Sequence, residues 1–332
     1  MKILGTLFLT MILILQGCTS DNKVKIGFLY STDAVERFVR EAEYFKERVQ
    51  QAGVDVVIRQ AENDENLQRE RFHEMVKEGI DLLVLIAVNE NTASAIVRDA
   101  HEKDIPVVGY VRLIRNCELD YFVGGNSKSV GSQIINMALS QKPKGNYIIL
   151  GGDMNDQNAP VMMESIENAI ASNVNSGDIK VLYKTYIEKW SEEIAIFELK
   201  KVLSLSGEKP DAIISCYDGF SEGAISLLEK YKYEDVFVSG QDAELRAIKN
   251  IIKGKQNMTV LHPLKKLAYQ VADIALGILN KKQLPDINVK SVYNGAFYVP
   301  AVYIEPIVIT AENIRSEIID KGVYSETQVY EK

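Results

Sequence analysis

From residue 23 onward, short β-branched runs alternate with polar stretches that carry apolar residues at helical spacing. The first run, 23–30, reads as a strand. After it Val35, Phe38, Ala42, Phe45 and Val49 recur at steps of three and four, which places them on one helix face, and Gly53 stands just past the end as a cap. The pattern repeats with strands near 54–60, 82–86 and 106–110 and helices near 66–77 and 92–103. Such alternation predicts βα units on a parallel sheet. A second series restarts after 121–125, with strands near 147–150, 179–186, 212–216 and 236–240 and helices between them. Two doubly wound α/β lobes follow. The tail from Met258 holds one strand, a long helix over 263–280 and an extended piece over 302–309. It is expected to return to the first lobe and recross, giving a hinge of several strands. No tandem repeat, low-complexity tract or Pro-rich linker interrupts the chain, so the lobes should be tightly joined.

The N-terminus departs from this alternation. Lys2 leads an uncharged apolar run from Ile3 to Leu15, followed by Gln16-Gly17-Cys18. A basic start, an apolar core shorter than a ~20-residue membrane span and a small residue ahead of a cysteine together describe a lipoprotein signal peptide. On this reading 1–17 is the signal, Cys18 becomes the lipidated first residue, carrying palmitate-type chains, and 18–23 is a tether. Everything after Cys18 then works outside the cytoplasm, in the periplasm or at the cell surface, held to a membrane by lipid.

Composition narrows the partners. About 315 residues remain after cleavage, enough for two ordinary domains. Loss of Lys2 leaves 37 basic against 46 acidic residues, a formal charge of −9. With no basic block to offset it, this surface is unsuited to nucleic acid or anionic lipid. Cys117 and Cys216 are far apart in different expected elements; an exported chain could pair them, but two buried, separate cysteines are the expectation.

The usual catalytic and metal motifs are missing. The sequence has three histidines, none paired with another at ligand spacing, and lacks Cys-x-x-Cys, Gly-x-Ser-x-Gly and His-Glu-x-x-His. His73 and His101 read as structural residues of helices. The stretch 125–131 has its Lys-Ser pair ahead of the last glycine, not after it, and is expected to be a hinge turn capping a helix, not a phosphate loop. Asp153, Asn155, Gln157 and Glu164 fall at calcium-loop positions, yet Asn158 replaces the required glycine and Pro160 intrudes, so no metal is expected. Neither a catalytic group nor a cofactor is assigned.

Several ordered motifs carry a resemblance over about 24–322. They are Ile26-Gly27, Glu36-Arg37-Phe38, Tyr110-Val111-Arg112-Leu113-Ile114, Gly151-Gly152 with Asn158-Ala159, Trp190, Ser239-Gly240-Gln241-Asp242-Ala243 with Ile248-Lys249, and Met258 to Pro263. On them the chain resembles the D-xylose-binding proteins, periplasmic sugar-binding proteins of the ribose-binding type. The resemblance implies a two-lobed, monomeric binding protein with three crossings. Its lobes would span 24–124 plus 262–290 and 125–261 plus 291–322, with 323–332 as a tail. A sugar would lie between them at the C-terminal ends of the strands.

By the same resemblance Phe38 and Trp190 would sandwich a sugar ring, offering apolar faces to its C–H surfaces. Arg37, Arg112, Asn158 and Asp242 would supply charge-assisted or bidentate hydrogen bonds to hydroxyls. Each has a plainer reading: Phe38 also fits the helix's apolar stripe, and Asp242 suits an N-cap. Three positions depart from the family. Val111 stands for an aspartate, Tyr217 for an asparagine and His262 for a lysine. Tyr217 adds bulk, which suggests a ligand smaller, differently oriented or more apolar than a pentose. His262 suggests affinity that depends on pH between about 5.5 and 7.5.

These readings favour a lipid-anchored protein that binds a monosaccharide and delivers it to an ABC permease. The same fold could instead report ligand to a membrane sensor kinase. An exported carbohydrate-active enzyme is the third reading, for which no acidic pair is visible.

Overall fold

The computed structural model describes residues 23–281 and 289–331. Cys18, the expected signal 1–17 and the tether up to 22 lie outside them. The first series runs β1 (Lys25–Tyr30), α1 (Glu36–Gln51), β2 (Asp55–Gln60), α2 (Glu65–Lys77), β3 (Leu82–Leu85), α3 (Ser94–His101), β4 (Val107–Tyr110) and β5 (Tyr121–Gly125). The second runs α4 (Ser127–Gln141), β6 (Gly145–Gly151), α5 (Asn158–Ser176), β7 (Ile179–Tyr186), α6 (Glu192–Ser206), β8 (Ala212–Ser215), α7 (Asp218–Tyr231), β9 (Phe237–Val238), α8 (Leu245–Ile252) and β10 (Thr259–Leu261). The chain then continues through α9 (Leu264–Leu279), β11 (Lys290–Tyr293), β12 (Tyr298–Ile304), β13 (Ile307–Ile309) and α10 (Glu326–Tyr330).

The first lobe is built on a seven-stranded sheet in the order β11-β12-β5-β4-β3-β1-β2. Its central strands, β1, β3, β4 and β5, bury both faces, as parallel strands flanked by helices must. Ile26, Phe28 and Tyr30 point toward α1 and α9, where Phe45 and Val271 meet them. Leu29, Leu83 and Leu85 point the other way, onto Phe72 of α2 and Ile96 of α3. The second lobe repeats this with a four-stranded sheet, β7-β6-β8-β9, beside an antiparallel β10-β13 pair. Its two apolar layers lie against α4 and α5 on one side and α6 and α7 on the other.

Three crossings join the lobes, at Asn126 between β5 and α4, at His262-Pro263 between β10 and α9, and at Glu305-Pro306 between β12 and β13. The 125–131 stretch is a hinge turn: Asn126 accepts a hydrogen bond from the Ser129 N–H and caps α4.

The expected lobe boundary is corrected in one place. Residues 291–304 belong to the first lobe, because β12 pairs in parallel with β5, Ala301 opposite Phe122 and Val302 opposite Val123. A tight turn at Asn294-Gly295, with Gly295 at φ 107°, folds β11 back onto β12. Residues after 323 are no free tail, since Val329 of α10 is buried beside Ile248 and Ile314 of the second lobe. Cys117 and Cys216 are free thiols, both buried.

Candidate functional site

In each lobe the sheet order turns back beside its first strand, β1 against β3 and β6 against β8. Open α/β sheets bind ligands outside the carboxyl ends of strands at such switch points. Every candidate residue follows a strand: Arg37 and Phe38 after β1, Arg112 after β4, Asn158 after β6, Trp190 after β7, Tyr217 after β8, Asp242 after β9 and His262 after β10. Arg37, Arg112 and Asn158 make contacts across the seam between lobes, whereas Phe38, Trp190 and Tyr217 pack within their own lobes.

Arg37, in the first turn of α1, spans that seam. Its Nη1 donates to Asp242 Oδ1 at 3.0 Å and its Nη2 to Glu41 Oε1, one turn along the same helix, at 3.0 Å. Glu41 is fully buried, and burial raises its carboxyl's pKa while the Arg37 charge opposes that shift. Asp242 sits at φ 88° and His262 Nε2 lies 4.0 Å from its Oδ1. Burial, reinforced by the Arg37 charge, pushes His262 down to about 4. The expected titration of His262 between about pH 5.5 and 7.5 is thus corrected: the imidazole is neutral throughout that window. Buried atoms here without a hydrogen-bond partner among the described residues include Arg37 Nε, Glu41 Oε2, Tyr110 Oη, Gln241 Oε1 and His262 Nδ1.

Arg112 lies over the Phe38 ring, its guanidinium carbon 5.8 Å from the centroid. Its Nη1 donates to the Ala87 carbonyl at 2.9 Å, and its Nε lies 3.4 Å from Asp156 Oδ2 of the second lobe. Asn158 reaches the same place from α5, its Nδ2 3.4 Å from the Val111 carbonyl and its Oδ1 accepting from Ser127 Oγ at 2.7 Å. Val111 itself is held at φ 63°, a region that a β-branched residue rarely adopts.

Trp190 leans over Gly152, where a Cβ would meet the indole at 2.0 Å. It stacks on Phe220 with ring centroids 6.2 Å apart and meets Tyr217 edge-on at 6.2 Å. The Tyr217 hydroxyl donates to Glu244 Oε1 at 2.8 Å, and Glu244 is held in turn by Arg246. The Tyr217 hydroxyl is thus already committed within the second lobe.

The sequence reading missed Glu41, Gln241 as a site residue, and Glu90. The spacing of Glu41 four residues after Arg37 was a usable signal. Among the described residues no group of three or more His, Cys, Asp or Glu is arranged to hold a metal. Asp153 instead orders its own turn, accepting from the Asn155 and Lys189 backbone N–H groups at 2.8 and 2.6 Å. Among the described residues no helix is long and apolar enough to cross a membrane.

Two doubly wound lobes with three crossings, and charged side chains that pair across the seam at the strand ends, define the bilobal fold of a binding protein. The chain belongs to the periplasmic binding protein family, whose periplasmic binding protein domain matches residues 26–283. It is 31% identical over 308 residues to the D-xylose-binding periplasmic protein of Haemophilus influenzae, covering 92% of each. The D-xylose-binding periplasmic protein of Escherichia coli is 29% identical over 321 residues, 96% of this chain and 97% of that one. An ABC transporter solute-binding protein from Clostridium phytofermentans, solved with bound β-D-glucose, shares the fold at a TM-score of 0.85 and 26% identity, over 92% of this chain and 99% of that one. The resemblance read from the motifs holds.

Proposed function

We propose that this chain is an exported, lipid-anchored solute-binding protein that captures a monosaccharide between its lobes and presents it to an ABC importer. The observation that carries this reading is the Arg37–Asp242 bridge at 3.0 Å, flanked by unpartnered Arg37 Nε, Gln241 Oε1 and His262 Nδ1. A buried donor, an acceptor and an imidazole nitrogen left without partners are costly unless hydroxyls complete them. Phe38 and Trp190 would cover the ring's C–H faces, while Arg112 and Asn158 would order its far edge. A ligand touching both lobes favours the closed form by its differential affinity, and a membrane partner reads closure as shape. The names of the curated relatives support a pentose, and the bound sugar of the Clostridium protein supports a hexose. The chemistry is binding, with no catalytic group assigned.

A thermal-melting screen against D-xylose, D-glucose, other monosaccharides and polyols tests the ligand class. At least one monosaccharide should raise Tm in a concentration-dependent way. A panel without any shift overturns the sugar reading. Anchoring is tested separately: the wild-type chain should take up labelled palmitate and sediment with membranes, whereas Cys18→Ala should do neither.

A further inference from the structure

A second charged contact crosses the seam, built on the loop after β3. Glu90 is only 3% exposed. Its Oε1 accepts the backbone N–H of Gln157, in the second lobe, at 3.2 Å. Gln157 Oε1 accepts from Arg115 Nη1 of the first lobe at 2.8 Å, and the Arg115 backbone N–H donates to the Glu90 carbonyl at 2.8 Å. The charged groups facing the Glu90 carboxyl are Asp156 from the second lobe and Arg112 and Arg115 from the first. Opening the lobes would leave Glu90 with its two arginines and restore water. Closing removes the water and brings Asp156 alongside, and both changes disfavour a second carboxylate.

We propose that Glu90 is a proton-linked latch: the lobes close with its carboxyl protonated, so that closure takes up a proton and acid strengthens the ligand-holding form. A protonated carboxyl still accepts the Gln157 N–H through its carbonyl oxygen, so the contact across the seam survives. Burial first, and the Asp156 charge second, push the closed-state carboxyl up to about 8. In the open form, exposed and beside two arginines, it returns toward the ordinary carboxylate range. The closed form therefore binds more protons between the two values, and affinity rises as pH falls through that interval, by at most about tenfold per pH unit. His262, pushed down to about 4, stays neutral there.

The latch rests on the sugar-binding reading only for its first test. Calorimetric titration with D-xylose and D-glucose, at about pH 5.5, 7 and 8.5 and in two buffers of different ionisation enthalpy, reads affinity and proton uptake together. Wild type should bind about tenfold or more tightly at the acid end and take up as much as one proton near neutrality. Glu90→Gln, a neutral mimic, should hold the acid-form affinity at every pH and take up none. Asp156→Asn should move the pH midpoint downward. Equal pH dependence in wild type and Glu90→Gln overturns the latch. If neither sugar binds at any pH, the proposed ligand fails, and the latch is then read from X-ray scattering of the unliganded chain. Its radius of gyration should shrink on acidification in wild type and not in Glu90→Gln; identical behaviour of the two chains overturns it.

Discussion

Arg37 donates to Asp242 across the seam at 3.0 Å while its other terminal nitrogen is held by Glu41 at 3.0 Å. The second contact fixes the arginine before the lobes meet, so it arrives at Asp242 preorganised. Asp242→Asn keeps the shape and removes the charge, and Arg37 retains Glu41 as a partner. Ligand affinity should fall by roughly 10- to 100-fold, the ~1.5–3 kcal/mol of a charge-assisted hydrogen bond, with little change in the melting temperature of the unliganded chain. Isothermal titration of both proteins decides this. Equal affinities would show that the bridge contributes nothing to closure.

Gly152 gives Trp190 its place. A Cβ there would stand 2.0 Å from the indole, so Gly152→Ala must displace the ring from its stack on Phe220. The variant should fold, show shifted tryptophan emission, and lose roughly 2- to 10-fold in affinity, on the scale of one aromatic contact. Normal affinity with displaced emission would remove Trp190 from the site.

Val111 carries strain that its sequence neighbours do not betray. At φ 63° a β-branched side chain crowds its own backbone, a cost of roughly 1–2 kcal/mol that asparagine largely avoids. Part of that gain is offset by lost contact with the first-lobe core, which Val111 touches. Val111→Asn should raise Tm by about 2 °C, the shift expected of ~1 kcal/mol in a chain of this size. A lower Tm would mean that packing outweighs strain at this position.

His262 links stability to pH with a definite sign. Its pKa falls from an ordinary 6.5 to about 4 on folding, so between these values the unfolded chain binds more protons. The stability contributed by the neutral imidazole is full above about pH 6.5 and is lost as pH drops toward 4, by as much as ~3 kcal/mol. His262→Gln should flatten the fall in unfolding free energy over that range, measured by urea denaturation at several pH values. An unchanged slope would mean that the imidazole is hydrated in the folded protein.

Much of this was legible in the residues. Period-two and period-3.6 patterns report burial directly, which is why the alternation through β1, α1 and β2 and its restart at β6 could be read from Phe28, Phe45 and Ile148 alone. The place of β12 was not, because Ala301 and Val302 look the same whichever sheet receives them, and their partner Phe122 lies far back in the sequence. Site residues that follow strands were visible through the motifs. Glu90 was not, and Glu41 was signalled only by its spacing from Arg37: a glutamate on a helix or in a loop reads as solvated, and the burial of each shows only in the assembled fold. The neutrality of His262 was hidden for the same reason, since burial and the Arg37 charge belong to the assembled fold. The left-handed backbone at Val111 left no trace, because valine is among the residues least expected there.

The most direct test of sugar binding between the lobes uses the single tryptophan of the chain. The purified exported chain, with Cys18 replaced, is titrated with D-xylose, D-glucose, other pentoses and hexoses, and polyols while Trp190 emission is followed. A saturable change with a monosaccharide, moved to roughly 10- to 100-fold higher sugar concentration by Asp242→Asn, is the predicted result. No change with any sugar, together with an unchanged melting temperature, would contradict it and assign the cleft between Arg37 and Asp242 to a different class of ligand.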